Sequence, residues 1–190
     1  MRKVIIALCL IAILYGLLNM WHDPKGEGSA IASITNRIEQ VAHQSIEGKP
    51  TLSAAFVDKV LSVANSKAAG TGQALYDLSQ KYGIDDAYAL AFFQHESMYG
   101  TGGVARATLS LGNIRCSDGY QCIEGYRAYG SWVEGYADWY RLIRTLYISQ
   151  WHLSTVEQIV PKYAPASEND VAGYIAAVEK AVQSWRAGNL

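Results

Sequence analysis

The chain has 190 residues, 50% of them hydrophobic, with 17 glycines and only 4 prolines, which is room for one domain of ordinary size plus appendages and argues against disorder or a repeat architecture. Sixteen basic residues against 17 acidic ones leave a net charge of -1, so the cationic field that phosphate-backbone binding demands is missing and nucleic acid is not an expected partner. The aromatic set is skewed to 13 tyrosines and 5 tryptophans against 3 phenylalanines, and rings that combine an apolar face with a polar handle suit sugar binding as well as ordinary cores.

Arg2 and Lys3 precede an uncharged apolar run over residues 4–21, which as a helix reaches ~27 Å and can just span a bilayer. A cleavable signal peptide needs small residues soon after its apolar run. Here Asn19, Met20, Trp21 and His22 follow, and the small-x-small pattern of Ala30-Ile31-Ala32 comes late. The expectation is a single-pass membrane anchor over residues 1–21, with a cleaved signal and a secreted protein as the alternative. Positive charge at the extreme N-terminus places everything after Trp21 outside the membrane. Cys9 falls within the run, where its role is membrane packing.

Residues 22–50 read as a linker with a short stalk helix. Pro24, Gly26 and Gly28 open it, Ile31, Ile34, Ile38 and Val41 form one apolar stripe, and Gly48-Lys49-Pro50 breaks it. The domain is expected over residues 51–190. Its first predicted helix covers 52–66 and closes at Gly70-Thr71-Gly72; a second covers 73–82 and stops at Gly83. Asp85 can cap a third over 87–99, apolar almost all round before Gln94 and therefore central, with Gly100 ending it. Residues 100–130 are glycine-rich and predict a small hairpin or irregular lobe from the segments 113–116 and 122–129. Ser131 with Glu134, and Ser154 with Glu157, match capping boxes for helices starting at Trp132 and Thr155, and Asn169 or Asp170 can cap a last helix through Trp185. The fold class is α+β, predominantly helical, with a glycine-rich β-hairpin lobe. In an exported chain the close pair Cys116 and Cys122 is expected to form a disulfide that fixes this lobe.

Common catalytic signatures fail. His95-Glu96 opens like a zinc-protease helix, but Tyr99 stands where the second ligand belongs, so no metal is expected. Thr108 stands where a G-x-S-x-G elbow around Ser110 needs its first glycine. Cys116 with His152 suits a cysteine peptidase less well than Cys116 suits a disulfide with Cys122. What remains is Glu96, a carboxylate near the C-terminal end of an otherwise apolar helix. The helix dipole and the apolar approach both raise its pKa, as a general acid for glycoside cleavage requires. The competing reading on spacing alone is an exposed glutamate on the last turn.

Ala91-Phe92-Phe93-Gln94-His95-Glu96-Ser97-x-x-Gly100-Thr101, followed by Leu111-Gly112-Asn113-Ile114-Arg115, resembles the bacterial endo-β-N-acetylglucosaminidases of glycoside hydrolase family 73. Tyr126-Arg127-Ala128-Tyr129 with Ser131 and Glu134-Gly135-Tyr136-Ala137-Asp138-Trp139 resembles the family's segment after the lobe, and Lys162-Tyr163-Ala164-Pro165 with Asn169 and Tyr174 its C-terminal part. The combination runs in family order over residues 75–185. The resemblance implies a lysozyme-like fold with a cleft between helical lobes. Peptidoglycan glycan strands, or a related N-acetylglucosamine polymer, are the implied substrate, and no cofactor is needed.

By the same resemblance Glu96 matches the catalytic acid, Asn113 lies in the segment assigned to substrate binding, Tyr163 and Tyr174 match cleft tyrosines, and Asp138 matches an acidic residue of the later helix. Each of the last three has a structural alternative. Tyr163 can cap its helix, Tyr174 can join Val171, Val178 and Val182 in the core, and Asp138 can pair with Arg141 or Arg144. The family often carries a second carboxylate in an extended lobe; here the lobe is short and Asp118 and Glu124 are its acids. That leaves the second catalytic group open among Asp118, Glu124, Asp138 and the substrate's own acetamido group. Lytic transglycosylases follow their Glu-Ser with a Gly-Leu-Met-Gln-like stretch that is absent here, which favours the glucosaminidase. The rival from another class is a wall-binding or assembly module without turnover, against which an intact Glu96 argues.

Overall fold

The computed structural model describes residues 45–190. The predicted anchor over 1–21 and the stalk stripe on Ile31, Ile34, Ile38 and Val41 lie outside the described residues. Among those described, no helix is long and apolar enough to cross a membrane.

The described chain is predominantly helical with one small antiparallel sheet. Three helices precede the lobe: α1 (Ala54–Val63), α2 (Gly72–Tyr82) and α3 (Asp86–Ser97). Their ends follow cap chemistry. The Ser53 hydroxyl accepts from the Phe56 N–H at the start of α1, Gly83 takes the left-handed conformation (φ 63°) that ends α2, and the Asp85 carboxylate accepts from the Ala87 N–H at the start of α3. Asp58 ties α1 to α2 by accepting from the N–H groups of Gly70 (2.9 Å) and Gly72 (2.7 Å).

α3 is the axis of the domain: every side chain from Asp86 to Phe93 is buried. Burial on all sides explains why its sequence is apolar without periodicity. It stops at Ser97, earlier than Gly100, because Met98 and Tyr99 turn left-handed (φ 49° and 57°) and the Tyr99 N–H reaches back to the Phe93 carbonyl at 3.0 Å. Ser97 secures the exit by donating to the Leu111 carbonyl at 2.8 Å and accepting from the Gly100 N–H at 2.9 Å.

The segment after Gly100 holds a one-turn helix that the sequence did not announce, α4 (Ala105–Thr108), and then the lobe. Strands β1 (Cys122–Ile123) and β2 (Tyr126–Arg127) pair antiparallel with Cys122 opposite Arg127 and Ile123 opposite Tyr126. The two residues between them, Glu124 (φ 51°) and Gly125 (φ 82°), are both left-handed, the geometry of a two-residue hairpin turn. Cys116 and Cys122 form the expected disulfide, with Cα atoms 5.9 Å apart.

α5 (Trp132–Leu142) starts where predicted, with the Ser131 hydroxyl accepting from the Glu134 N–H. It widens without a break into a π-helical stretch, Ile143–Gln150, which helical periodicity alone does not reveal. α6 (Val156–Tyr163) begins one residue later than expected: its capping box is Thr155 with Gln158, not Ser154 with Glu157. The Asp170 carboxylate accepts from the Gly173 N–H and caps α7 (Val171–Arg186). α7 packs along α3 and buries Tyr174, Val178, Val182 and Trp185. The start of the described chain also belongs to this core, not to the linker: Ile46 is fully buried, donates to the Ser154 carbonyl and accepts from the Asp85 N–H.

Candidate active site

A cleft of about 740 Å³ opens where the C-terminal end of α3, the 113–117 segment of the lobe, the π-helical stretch and the loop between α6 and α7 converge. Glu96 lies on its wall, at the last turn of α3. The helix presents it there because the residues up to Phe93 are held in the core, while Gln94 and His95 are exposed.

The surroundings of Glu96 are largely aromatic and neutral. Tyr174, 1% exposed, donates its hydroxyl to Glu96 Oε1 at 2.7 Å. Phe92 on α3 packs against Tyr163 and Tyr174, with ring centroids 5.5 Å away in each case. The His95 imidazole stacks on Tyr174 at 3.7 Å. Burial pushes the Glu96 carboxyl up to about 7, and this outweighs the hydrogen bond from Tyr174, the Asn113 amide and the charge of Arg115, all of which pull it down. Burial, and then the Glu96 carboxylate itself, keep the hydroxyls of Tyr163 and Tyr174 far above the ordinary tyrosine value, so both stay protonated donors.

Asn113 lines the same cleft. It sits in a left-handed conformation (φ 45°), donates from Nδ2 to the Glu96 carbonyl at 2.6 Å, and keeps a buried Oδ1 without a hydrogen-bond partner. Tyr163 also lines the cleft and donates its hydroxyl to the Gly112 carbonyl. Gly112 has to be glycine, since a Cβ there would meet the Tyr163 hydroxyl at 2.9 Å and crowd the Trp139 ring. Glu96, Asn113 and Tyr163 thus share one wall. Tyr174 stands behind Glu96, buried, as its hydrogen-bond donor.

Asp138 is elsewhere. It is 4% exposed beneath the lobe. Arg127 Nη1 (2.9 Å) and the Tyr129 hydroxyl (2.6 Å) donate to its Oδ2, while the Tyr120 hydroxyl (3.1 Å) and Arg141 serve its Oδ1. Burial raises its pKa, but the bonds from Tyr129 and Arg127 and the charges of Arg127 and Arg141 outweigh it, and the net direction is down. Arg144, the other expected partner, instead donates to the carbonyls of Tyr82 and Gly83 and to Glu47, closing the end of α2. Asp118 and Glu124 are exposed on the lobe and do not line the cleft.

Three further residues line the cleft without having been singled out as site residues, Lys162 having entered only as part of the resembling segment. Tyr147 is carried by the π-helical stretch, Lys162 precedes Tyr163 on α6, and Glu168 lies in the loop after it, paired with Arg115 at 2.5 Å. Among the described residues no group of three metal-ligating side chains converges. Chemically, the cleft offers a carboxyl lifted to about 7, hydroxyl and amide groups close to it, the charged side chains of Arg115, Lys162 and Glu168, and aromatic surface. Comparison with protein-family models and with curated proteins finds no match to this chain.

Proposed function

We propose that the chain is a peptidoglycan hydrolase that cleaves β-1,4 glycosidic bonds next to N-acetylglucosamine, with Glu96 as the general acid, on a lysozyme-like fold. One observation carries the reading: a glutamate on the wall of a cleft of about 740 Å³ whose carboxyl burial lifts to about 7. Such a group still carries its proton in a large fraction of molecules at neutral pH and delivers it to the departing glycosidic oxygen. The volume is that of a ligand cleft, and its phenolic and amide lining suits the hydroxyl and acetamido groups of an amino sugar. The order of motifs from Ala91 to Tyr174, with Glu96, Asn113, Tyr163 and Tyr174 gathered at one place, supports the likeness to the family 73 glucosaminidases. The apolar run over residues 4–21 belongs to the proposal as an anchor that holds the domain on the outer side of the membrane, against its wall substrate, and the Cys116–Cys122 disulfide agrees with export.

Mass spectrometry of peptidoglycan digested with the chain tests the reading. New reducing ends on N-acetylglucosamine are expected. Anhydro-muramic ends make the protein a transglycosylase, and an intact substrate makes it a binding or assembly module. For the anchor, N-terminal sequencing of the mature protein should return the start of the chain; a mature terminus near Ser33 means a cleaved signal.

A further inference from the structure

We infer that Glu168 is the second carboxylate of this site, the base that takes a proton from the attacking water while Glu96 gives its own proton to the leaving oxygen. The inference rests on the hydrolase reading above. Among the described residues, Glu96 and Glu168 are the two carboxylates on the wall of the cleft. They come from different elements, the end of α3 and the loop between α6 and α7, so the cleft runs past both.

Arg115 links them. Its Nη2 contacts Glu168 Oε2 at 2.5 Å, across 53 residues of chain, and the same guanidinium is close enough to act on the Glu96 carboxyl by its charge. Its face lies over the Tyr126 ring at 5.0 Å, which fixes where it stands on the lobe. The side chains of this pair are 65% and 57% exposed, and an exposed ion pair contributes little to stability. Its placement in the cleft is therefore better accounted for by orienting the Glu168 carboxylate on the cleft wall than by holding the fold. The other acids lack this position: Asp138 has both oxygens engaged under the lobe, and Asp118 and Glu124 are exposed on the lobe and do not line the cleft.

The step balances with water as the co-reactant. The water oxygen bonds to the anomeric carbon as the bond from that carbon to the glycosidic oxygen breaks. One water proton passes to Glu168 and the Glu96 proton passes to the leaving oxygen. A single displacement of this kind inverts the anomeric centre.

The experiment uses the full chain and its Glu168→Ala and Glu96→Gln variants on purified, peptide-free glycan strands of alternating N-acetylglucosamine and N-acetylmuramic acid, with and without sodium azide. Glu168→Ala should keep its thermal unfolding and its KM, and lose about 10² to 10⁴ in kcat, the range of a lost general base. Azide, a small anion that needs no base, should restore turnover and leave a glycosyl azide of inverted configuration, read by NMR. Near wild-type kcat in Glu168→Ala, a loss that azide leaves unrepaired, or an azide product of retained configuration each overturns the assignment. In those cases an inactive Glu96→Gln beside an active parent keeps the hydrolase reading standing. Strands left uncut by the parent chain remove that reading and this inference together.

Discussion

At the end of α3 the Glu96 carboxylate meets the neutral hydroxyl of Tyr174, whereas at the junction of the lobe with α5 the Asp138 carboxylate meets two guanidinium groups and two phenols. Burial raises the pKa of both. It wins at Glu96, which rises to about 7, and loses at Asp138, which falls below the ordinary value. Desolvation therefore decides the acidity of a buried carboxylate where the nearby cation acts only at a distance, as Arg115 does on Glu96, and yields where guanidinium groups bond it directly, as at Asp138. One region of the molecule holds a carboxyl whose proton leaves only near neutral pH, and the other uses its charge to tie the lobe to the helical body.

The largest expected effect is on turnover. Glu96→Gln keeps the shape of the side chain and a hydrogen bond to Tyr174 but has no acidic proton, so kcat on glycan strands should fall by about 10² to 10⁴. Activity of the parent should decline as pH rises through about 7, where Glu96 loses its proton. The same shift costs stability. Unfolded, the carboxyl releases its proton near pH 4.5, and folded near 7, so between those values the native state binds more protons and stability falls as pH rises. Glu96→Gln removes that dependence, and above pH 7 the variant should unfold at a higher denaturant concentration than the parent. A variant that still cleaves at the parental rate refutes the general-acid assignment.

Asp138→Asn probes the other side of the comparison. Arg127, 12% exposed, loses its counter-charge, and breaking a buried pair from one side costs about 3 kcal/mol. The midpoint of urea unfolding should drop accordingly. Because the native pKa of Asp138 lies below the unfolded one, its contribution is full above about pH 3.9 and is lost as pH falls through the lowered native value. At temperatures where the variant is folded, the pH at which activity declines should match the parent. A shift of that limb would mean that Asp138 acts on Glu96 and that the two regions are one.

Opening the Cys116–Cys122 disulfide by the double serine substitution loosens the lobe with a smaller effect. The closed loop is short, so the loss should be about 2 kcal/mol. Cys116 also lines the cleft, so KM for glycan strands should rise more than kcat falls. Unchanged KM in the open form would separate the lobe from substrate binding.

The elements legible in the sequence were those set by local chemistry. Asp85, Ser131 and Asp170 cap helices, and Gly83 ends one, each through contacts within a few residues. The start of α6 differs by one residue from the sequence expectation because Ser154-Thr155 and Glu157-Gln158 offer two overlapping boxes; Gln158 Oε1 accepts from both the Ser154 and Thr155 N–H groups and selects Thr155. The π-helical stretch was invisible because its buried Ile143 and Tyr147 stand four apart, as in an α-helix. At the site, the apolar run that ends beside Glu96 made it a candidate and the family resemblance singled it out, and the disulfide was legible from two close cysteines. Glu168 was not, since nothing local distinguishes a glutamate in the polar run after Pro165 from a solvated one, and its partner Arg115 lies 53 residues away. The pairing of Asp138 with Arg141 was readable from helical spacing; Arg127 and Tyr129 reach it only through the folding of the lobe.

The smallest effect belongs to Tyr174→Phe, and it bears most directly on why the two carboxylates differ. The Tyr174 hydroxyl bonds Glu96 at 2.7 Å and favours its charged form, so it lowers a pKa that burial raises. Removing the hydroxyl leaves the ring in place against Phe92 and His95 and takes away one neutral hydrogen bond, worth about 1 kcal/mol. The pKa of Glu96 should therefore rise beyond about 7, and the falling limb of the pH–kcat profile should move up by about half to one pH unit. Below that limb the rate should stay within a few-fold of the parent, because the proton is held more firmly but still held by the right atom. Stability at pH 5, where Glu96 is neutral in both proteins, should change less than stability at pH 8, where the variant leaves the carboxylate with one donor fewer. A limb that stays in place means that the hydroxyl merely packs, and a limb that moves down means that Glu96 is not the group whose protonation limits the rate.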